Sequence, residues 1–580
     1  MKKNYLLLLC FFLASFAIQA QSFLFNNINY TVTDASNRLV TVSYYSAYSG
    51  AINIPSTVTY LSNSYSVTAI EHDAFSGRPI TSVSIPNTVL KIENDAFTGC
   101  TSLGMVTMSN AVTSIGTGAF FNCSSLGSIM LPNTVTSIGF NAFSGCSNLV
   151  TVNVGTGLET LGHSAFYNCT KLSGIALPNG VTTIEYDTFT GCTELATATI
   201  GNAVTAINYG AFFQCSNLAS ITIPNTIQNV GDNAFSGCTK LTTVSMGTGL
   251  QTLGHSAFYN CAKLTAINLS DNLVAIDYDT FTGCTALATV SLGSNIASIG
   301  KGAFFECTSL QNVVIPNSTT SIGVEAFYHC TSLTSAVIGS SVASIGDRAF
   351  IGCTALTSTA IPNATLTIGN EVFADCSALA TATFGTSLTS IGTSAFYNCT
   401  ALESIVLPNS LTTLGVSSFF ATTKLKTIAL GTGITTIGDN CFAFCQVLTS
   451  INIDASTPPV INANVFDGLT LSNIGLSGAD VSSYRTAPIW GNFKATTLGV
   501  LSSDLIALQL FPNPTVDSIT VQLPNNFNLN AVSVYNLSGQ LVRKSKTNQV
   551  NVSDLSAGNY IVSIETDKGS VMKKIVKASF

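Results

Sequence analysis

The chain has 580 residues, of which only 8% are charged, and its net charge is −7. Charged residues this far below the ~25% of ordinary soluble domains, with no basic stripe, argue against an ionic binding surface and against nucleic acid as a partner. One globular core does not grow to such a length, whereas a stack of repeats has no such ceiling because each unit touches only its neighbours. Residues 1–20 read as a secretory signal peptide: Lys2 and Lys3 precede an apolar run from Tyr5 to Ile18, and Ala20 supplies a small residue before the cut. That run is too short to span a bilayer, so no transmembrane segment is expected. Residues 21–64 form an N-terminal cap in this reading, with Ile28–Val32 and Leu39–Val42 as a hairpin that hides the first rung.

From residue 65 to 495 one period governs the sequence. Sixteen phenylalanines recur every 23 residues from Phe97 to Phe442, and a fixed period of that length means a solenoid. In the unit beginning at Phe120, the apolar positions are Leu126, Ile129, Leu131, Val135 and Ile138. The alternation Ile129-x-Leu131 is that of a half-buried strand, and Pro132-Asn133 then punctuates it. Ile138 is followed by Gly139, which is expected to take a tight backbone conformation that turns the chain back toward Ala142 and Phe143. The frame L-x-x-[IVL]-x-[ILV]-P-x-x-[VL]-x-x-I-G-x-x-A-F-x-x-C resembles the BspA-like leucine-rich repeats. The resemblance implies a mainly β fold, a leucine-rich-repeat solenoid of 23-residue units with caps at both ends.

A second period of 46 residues overlies the first. Pro86, Pro132, Pro178 and Pro224 mark one set of rungs and Gly155, Gly201 and Gly247 the alternate set. Bulky Phe121, Tyr167, Phe213 and Tyr259 likewise alternate with small Ser144, Thr190 and Ser236. Rungs stack at roughly 4.7–4.9 Å, so crowding between aromatics on adjacent rungs is the expected cause. Ser220–Leu264 repeats Ser128–Leu172 at a shift of four rungs, the mark of duplication.

Fourteen cysteines keep the 23-residue step from Cys100 to Cys399. On successive rungs their Cβ vectors run parallel and stay a rung apart, unlike the ~3.8 Å of a disulfide, so a ladder of buried reduced thiols is expected. His163 and His255 hold the same repeat position four rungs apart, too far to share a metal whose ligand bonds are near 2 Å. No nucleophile elbow, H-E-x-x-H, P-loop or calcium-loop pattern occurs, so neither catalytic residues nor metal ligands nor a cofactor are expected. Positions just after the Ile-Gly step carry Phe140, His163, Tyr186, Tyr209, His255 and Tyr278. As exposed aromatics they make a ligand-contact strip, since such rings supply contact energy; packing without function is the alternative.

Near the end of the array, Leu471-x-x-Ile474-x-Leu476 reads as a last irregular strand, with Tyr484, Trp490 and Phe493 covering the final rung. Phe466, in an irregular rung, is expected to be held less tightly than a central ring such as Phe235. A linker over 496–504 leads to a tail, 505–580, in which the period vanishes and short strand-like runs (518–521, 531–534, 560–564, 571–576) suggest a small β-sandwich. Phe511-Pro-Asn-Pro514, Val534-Tyr-Asn-Leu-Ser-Gly-Gln-Leu-Val542 and the terminal Lys573-Lys-Ile-Val-Lys-Ala resemble the type A C-terminal sorting domain of the type IX secretion system. That resemblance implies export across the outer membrane by the type IX machinery as a partner, and surface anchoring or release. BspA-like proteins include adhesins, so it also implies a protein or glycan ligand on host, matrix or neighbouring cells. A passive spacer or surface-layer element and a carbohydrate-active enzyme are the alternatives; the last lacks any repeated pair of Asp or Glu.

Overall fold

The computed structural model describes residues 21–478, 481–495, 508–523, 527–537, 540–567 and 569–578. The signal peptide and linker expected over 1–20 and 496–504 lie outside those residues. The protein divides into two compact units, one running to Leu402 with Leu414–Thr423, the other holding Glu403–Thr413 and the chain from Lys424 onward.

In the first unit each 23-residue coil has three sides. One is a three-residue strand such as Ser128–Met130, which pairs in parallel with Thr151–Asn153 of the next coil, Ser128 facing Thr151. Ten such strands, from Ser128–Met130 to Ser335–Val337, make one sheet. The second side is a two-residue strand such as Ser137–Ile138, paired in parallel with Ser114–Ile115. The third has no strand, yet its backbone is also satisfied from rung to rung: Phe120 N–H donates to Ala142 O at 2.7 Å and Asn122 N–H to Ser144 O at 2.7 Å. Short strands separated by tight turns are what Pro-Asn and Gly signals at fixed offsets produce.

The repeat phenylalanines form a column inside the coils. Rings from Phe75 to Phe419 lie nearly parallel on one another, with Phe97 and Phe120 centroids 5.0 Å apart and Phe235 and Phe258 5.2 Å apart. Leu126, Ile129, Val135 and Ile138 close the core around them. Beside the rings run the fourteen cysteines from Cys100 to Cys399, buried and outside any disulfide. Each Sγ–H donates to the carbonyl of the phenylalanine one rung back, as from Cys123 to Phe97 O at 3.2 Å and from Cys399 to Phe373 O at 3.1 Å. Desolvation by burial pushes Cys192, Cys215 and Cys238 up, and Cys100 to about 12.

Two expectations about packing need correction. Aromatics on adjacent rungs do not crowd: Phe305 stacks on Tyr328 at 4.4 Å and Tyr397 on Phe420 at 5.2 Å. The two-rung period comes instead from the Pro and Gly positions, where a Cβ on Gly155 would meet Pro132 O at 2.6 Å and one on Gly201 the Pro178 carbonyl carbon at 2.8 Å. A proline turn bulges toward the next rung, and glycine fits over it in every pair after the first, where Ser109 lies over Pro86 and donates through Oγ to its carbonyl at 2.9 Å. Nor is Gly139 present for its backbone freedom, for it has no left-handed φ. A Cβ there would meet Thr117 N at 2.5 Å and Gly116 C at 2.6 Å, so the residue serves close approach of successive coils.

The expected hairpin is present: Ile28–Asp34 pairs antiparallel with Leu39–Val42, Tyr30 facing Val42, and Ser22–Phe25 adds an outer strand. Tyr48 covers the first ring of the column, 4.5 Å from Phe75. In the second unit, Thr427–Leu430, Ser450–Ile453, Gly475–Ser477 and Lys494–Ala495 pair in parallel, so a further strand follows the one expected to be last, and Leu471–Asn473 is a 3-10 turn. Among the described residues the helical segments are four such 3-10 turns. Trp490 is buried and donates through Nε1 to Pro459 O at 2.8 Å. It meets Phe466 edge-on at 5.8 Å, while Phe493 and Phe442 lie 5.1 and 5.7 Å from the same ring. Phe466 is thus covered on both sides, contrary to the expectation of a loosely held ring.

The tail folds as two antiparallel sheets. One joins Gln509–Phe511, Ser518–Gln522 and Gln549–Asn551; the other orders Leu541–Ser545, Leu529–Tyr535, Gly558–Thr566 and Gly569–Lys577. Ile519 and Val550 of the first sheet share one core with Val532, Val562, Ile564 and Ile575 of the second, which makes a β-sandwich. Asn513 ties the Phe-Pro-Asn-Pro segment to the last strand, donating through Nδ2 to Lys574 O at 3.0 Å and accepting Val576 N–H at 2.8 Å.

Candidate functional site

Along the two-residue strands, the N–H of the glycine in each Ile-Gly step donates to the Ile-position carbonyl one rung back, as from Gly139 to Ile115 and from Gly231 to Ile207. Five rungs put a side chain in place of that glycine: Glu71, Glu93, Glu185, Asn208 and Asp277. Asn208 and Glu93 follow rungs that already carry a Cβ, and they keep the bond, at 2.9 Å each. Glu185 and Asp277 follow Gly162 and Gly254, and there the ladder is interrupted. No hydrogen bond joins Glu185 N–H to Leu161 O or Asp277 N–H to Leu253 O, and the sheet of two-residue strands ends at Thr160–Leu161, resumes over Thr183–Leu253, and resumes again at Ala275–Ile276. The cause is steric. Glycine rungs approach so closely that a Cβ would lie about 2.5 Å from the preceding backbone, and a residue bearing one must back away.

Both interrupted rungs carry the same set of changes, Ile184-Glu-Tyr-Asp-Thr-Phe189 and Ile276-Asp-Tyr-Asp-Thr-Phe281. Thr188 and Thr280 replace the usual alanine and donate to the carbonyls of Glu185 and Asp277 at 2.7 and 2.8 Å, which re-secures the displaced turn. Tyr186 and Tyr278 are about half exposed, and each stacks on the histidine one rung back. His163 lies 4.8 Å from Tyr186 with rings 5° apart, and His255 lies 4.9 Å from Tyr278 at 29°. Phe140 meets His163 edge-on at 4.9 Å. His163 Nε2 is 3.7 Å from Glu185 Oε2, and His255 Nδ1 is 3.1 Å from Asp277 Oδ1, though that pair is out of line for a hydrogen bond.

The six residues expected to form a strip therefore fall into two stacks, Phe140-His163-Tyr186 and His255-Tyr278, with Tyr209 and Asp232 on the rungs between. There a groove of about 390 Å³ opens. Tyr186, Tyr209, Asp232 and Asp277 line it together with Asn229, Thr252 and the glycines Gly231 and Gly254. Asp232 Oδ1 accepts the His255 amide N–H at 2.8 Å, and Asp277 Oδ1 accepts that of Tyr278 at 2.9 Å, so each carboxylate is oriented by backbone. Asn208 Nδ2 donates to Glu185 Oε2 at 2.9 Å. Glu185, Asn208, Asp232 and Asp277 were not among the residues singled out from sequence. The signal was present in the five departures from glycine, but it required knowing what glycine does there.

His72, Asp73 and Asp95 bring one ligand atom each to within 4.8 Å of one another. His72 is solvent-open and its Nδ1 is 3.0 Å from Asn94 O, which marks a surface ion cluster on the first rungs.

The model of the BspA type leucine-rich repeat region matches over 68–196, 159–288, 205–334, 274–400 and 366–484. The chain belongs to this BspA-type family. Residues 509–578 match the secretion system C-terminal sorting domain. The BspA-type repeats of this chain are therefore carried to the cell surface by type IX secretion, and among the described residues no helix is long and apolar enough to cross a membrane. Among solved structures, a leucine-rich-repeat protein from Bacteroides ovatus is 27% identical, with a TM-score of 0.46 over 74% of this chain and 94% of that one. A leucine-rich cell-surface protein from Faecalibacterium prausnitzii is 28% identical, with a TM-score of 0.38 over 66% and 93%. Among curated proteins, the ulvan lyase NLR42 of Nonlabens ulvanivorans is 35% identical over 85 residues, which is 14% of this chain and 16% of that protein.

Proposed function

We propose that this BspA-type surface protein binds a macromolecular partner, protein or glycan, without catalysing a reaction on it, and that the contact runs along Phe140, His163, Tyr186, Tyr209, His255 and Tyr278. One observation carries the reading. Twice, 92 residues apart, the chain gives up a backbone hydrogen bond at the rung that presents an acidic residue and a half-exposed tyrosine beside a histidine. A bond left unmade costs on the order of 1 kcal/mol, and nothing in the core requires that cost, since neighbouring rungs with glycine pack regularly. The loss is explicable if the displaced turns serve a surface contact, where tyrosine is a favoured anchor.

A lyase-type activity gains little support from a relative of which the chain covers 16%. Orientation of both groove carboxylates by backbone N–H groups supports a fixed recognition surface. Labelled mature protein should bind a subset of a mixed glycan and matrix-protein array, and the Tyr186→Ala/Tyr278→Ala variant should lose that binding while its circular dichroism stays unchanged. Retained binding by the double variant would move the contact elsewhere on the repeats.

A further inference from the structure

Resting on that reading of the face, we infer that the groove between Tyr209 and Asp277 is a subsite for an uncharged polysaccharide chain. Its size and lining point to this ligand. About 390 Å³ lies in the range of sites that enclose small units, roughly 300–1,000 Å³, whereas a stable protein contact needs about 800 Å² on each partner. The groove's lining is two tyrosines, two asparagines, a threonine hydroxyl, two carboxylates, two glycines and the buried Ile207, Val230 and Leu253, with no lysine or arginine among them.

A pyranose ring has C–H faces that pack on aromatic rings and a rim of hydroxyls that both donate and accept. Tyr186 and Tyr209, on consecutive rungs and each about half exposed, offer the ring surfaces. The carboxylates of Asp232 and Asp277, each held through one oxygen by a backbone N–H, accept hydroxyl protons, and Asn208 and Asn229 supply amides. Gly231 and Gly254 bring no side chain into the groove, an absence the stacking of the coils already imposes. The same carboxylates repel uronate and sulfate groups at neutral pH, which sets the preference for neutral over anionic glycans. His255, held beside Asp277, is not among the groove's lining residues and does not reverse that sign.

The test uses the full mature protein in native gels cast with laminarin, galactomannan or xyloglucan, and in parallel with alginate or heparin. At least one neutral polysaccharide should retard the protein and the anionic ones should not. Tyr209→Ala should weaken the apparent Kd by fivefold to tenfold or more, Asp232→Ala should weaken it as well, and Lys301→Ala, two rungs past His255 in the same column, should leave it unchanged. If no neutral polysaccharide retards the native protein, the inference is wrong. It is also wrong if retardation survives Tyr209→Ala. Should a matrix protein instead be bound on the array and lost with the Tyr186→Ala/Tyr278→Ala variant, the glycan subsite fails while the binding face stands. Binding of both ligand classes that ignores all of these substitutions would remove the face as well.

Discussion

At the scale of single residues, what this chain does with glycine is more revealing than what it does with its aromatics. A Cβ on Gly201 would run into the carbonyl of Pro178, whereas one on Gly127 would meet nothing within 4 Å. Gly201→Ala should therefore destabilise by roughly 1–3 kcal/mol, as overpacking does, and Gly127→Ala should stay within about 0.5 kcal/mol. Paired urea titrations check this, and equal midpoints for the two variants would remove the Pro-over-Gly explanation of the 46-residue period. Cysteine gives a second residue-scale expectation. The ladder thiols are buried, each donating to a carbonyl, and desolvation raises the pKa of Cys100 from the ordinary 9.0 to about 12 and also raises those of Cys192, Cys215 and Cys238. The folded state holds these protons more tightly than the unfolded chain, so this contribution is complete below pH ~9 and is lost as pH rises toward 12. Stability to urea should fall across that window. At pH 8.5 the native protein should take up no iodoacetamide on the Cys100–Cys399 ladder, and prior reduction should not increase labelling after unfolding. A mass change on reduction matching several bridges would show disulfides instead.

At the scale of the coil, two features make distinct demands. The phenylalanine column is continuous, so Phe235→Ala leaves a ring-sized void between two stacked neighbours and should cost about 3–5 kcal/mol. Phe466→Ala should cost a similar amount, because Trp490 and Phe493 cover the ring where the next coil would otherwise lie; a much smaller loss at Phe466 would mean that the cap packs loosely. The interruptions at Glu185 and Asp277 follow a local rule, a Cβ placed directly over a glycine rung. Glu185→Gly should restore the bond to Leu161 O, and hydrogen exchange of peptides spanning 182–186 should slow by roughly a factor of five to ten, the equivalent of about 1 kcal/mol. Unchanged exchange would show that something other than the Cβ holds the two rungs apart.

At the scale of the whole chain, the division of labour is between repeats that present a surface and a tail that carries them there. The tail buries its own core, from Leu508 to Ile575, without any residue of the repeats. Removing 505–580 should thus leave the repeats folded, with the near-ultraviolet signature of Trp490 intact, but strand them in the periplasm of the native host. Truncated protein appearing at the cell surface would contradict the sorting assignment of 509–578.

How much of this was legible in advance depends on the range of the forces involved. The period, the Phe column and the buried thiols of the Cys100–Cys399 ladder follow from patterns repeated in the sequence, because in a stack each residue's environment is set by its own copies one period away, while the N-terminal hairpin and the four strand runs of the tail follow from local strand patterns between turn signals. Identical rungs make a one-dimensional problem that spacing alone solves. The reason for the Pro and Gly alternation, the tolerance of aromatics on adjacent rungs, the covering of Phe466 by two rings from a later turn, and the interruptions at Glu185 and Asp277 were decided by the tertiary structure. Each depends on separations of a few ångströms between backbones that pattern places next to each other without saying how close. The groove follows from the same distinction: the sequence shows Tyr186, Tyr209 and His255 in one column, but only the tertiary structure sets Tyr186 and Tyr209 around one groove with Asp232 of a regular rung and Asp277 of an interrupted one.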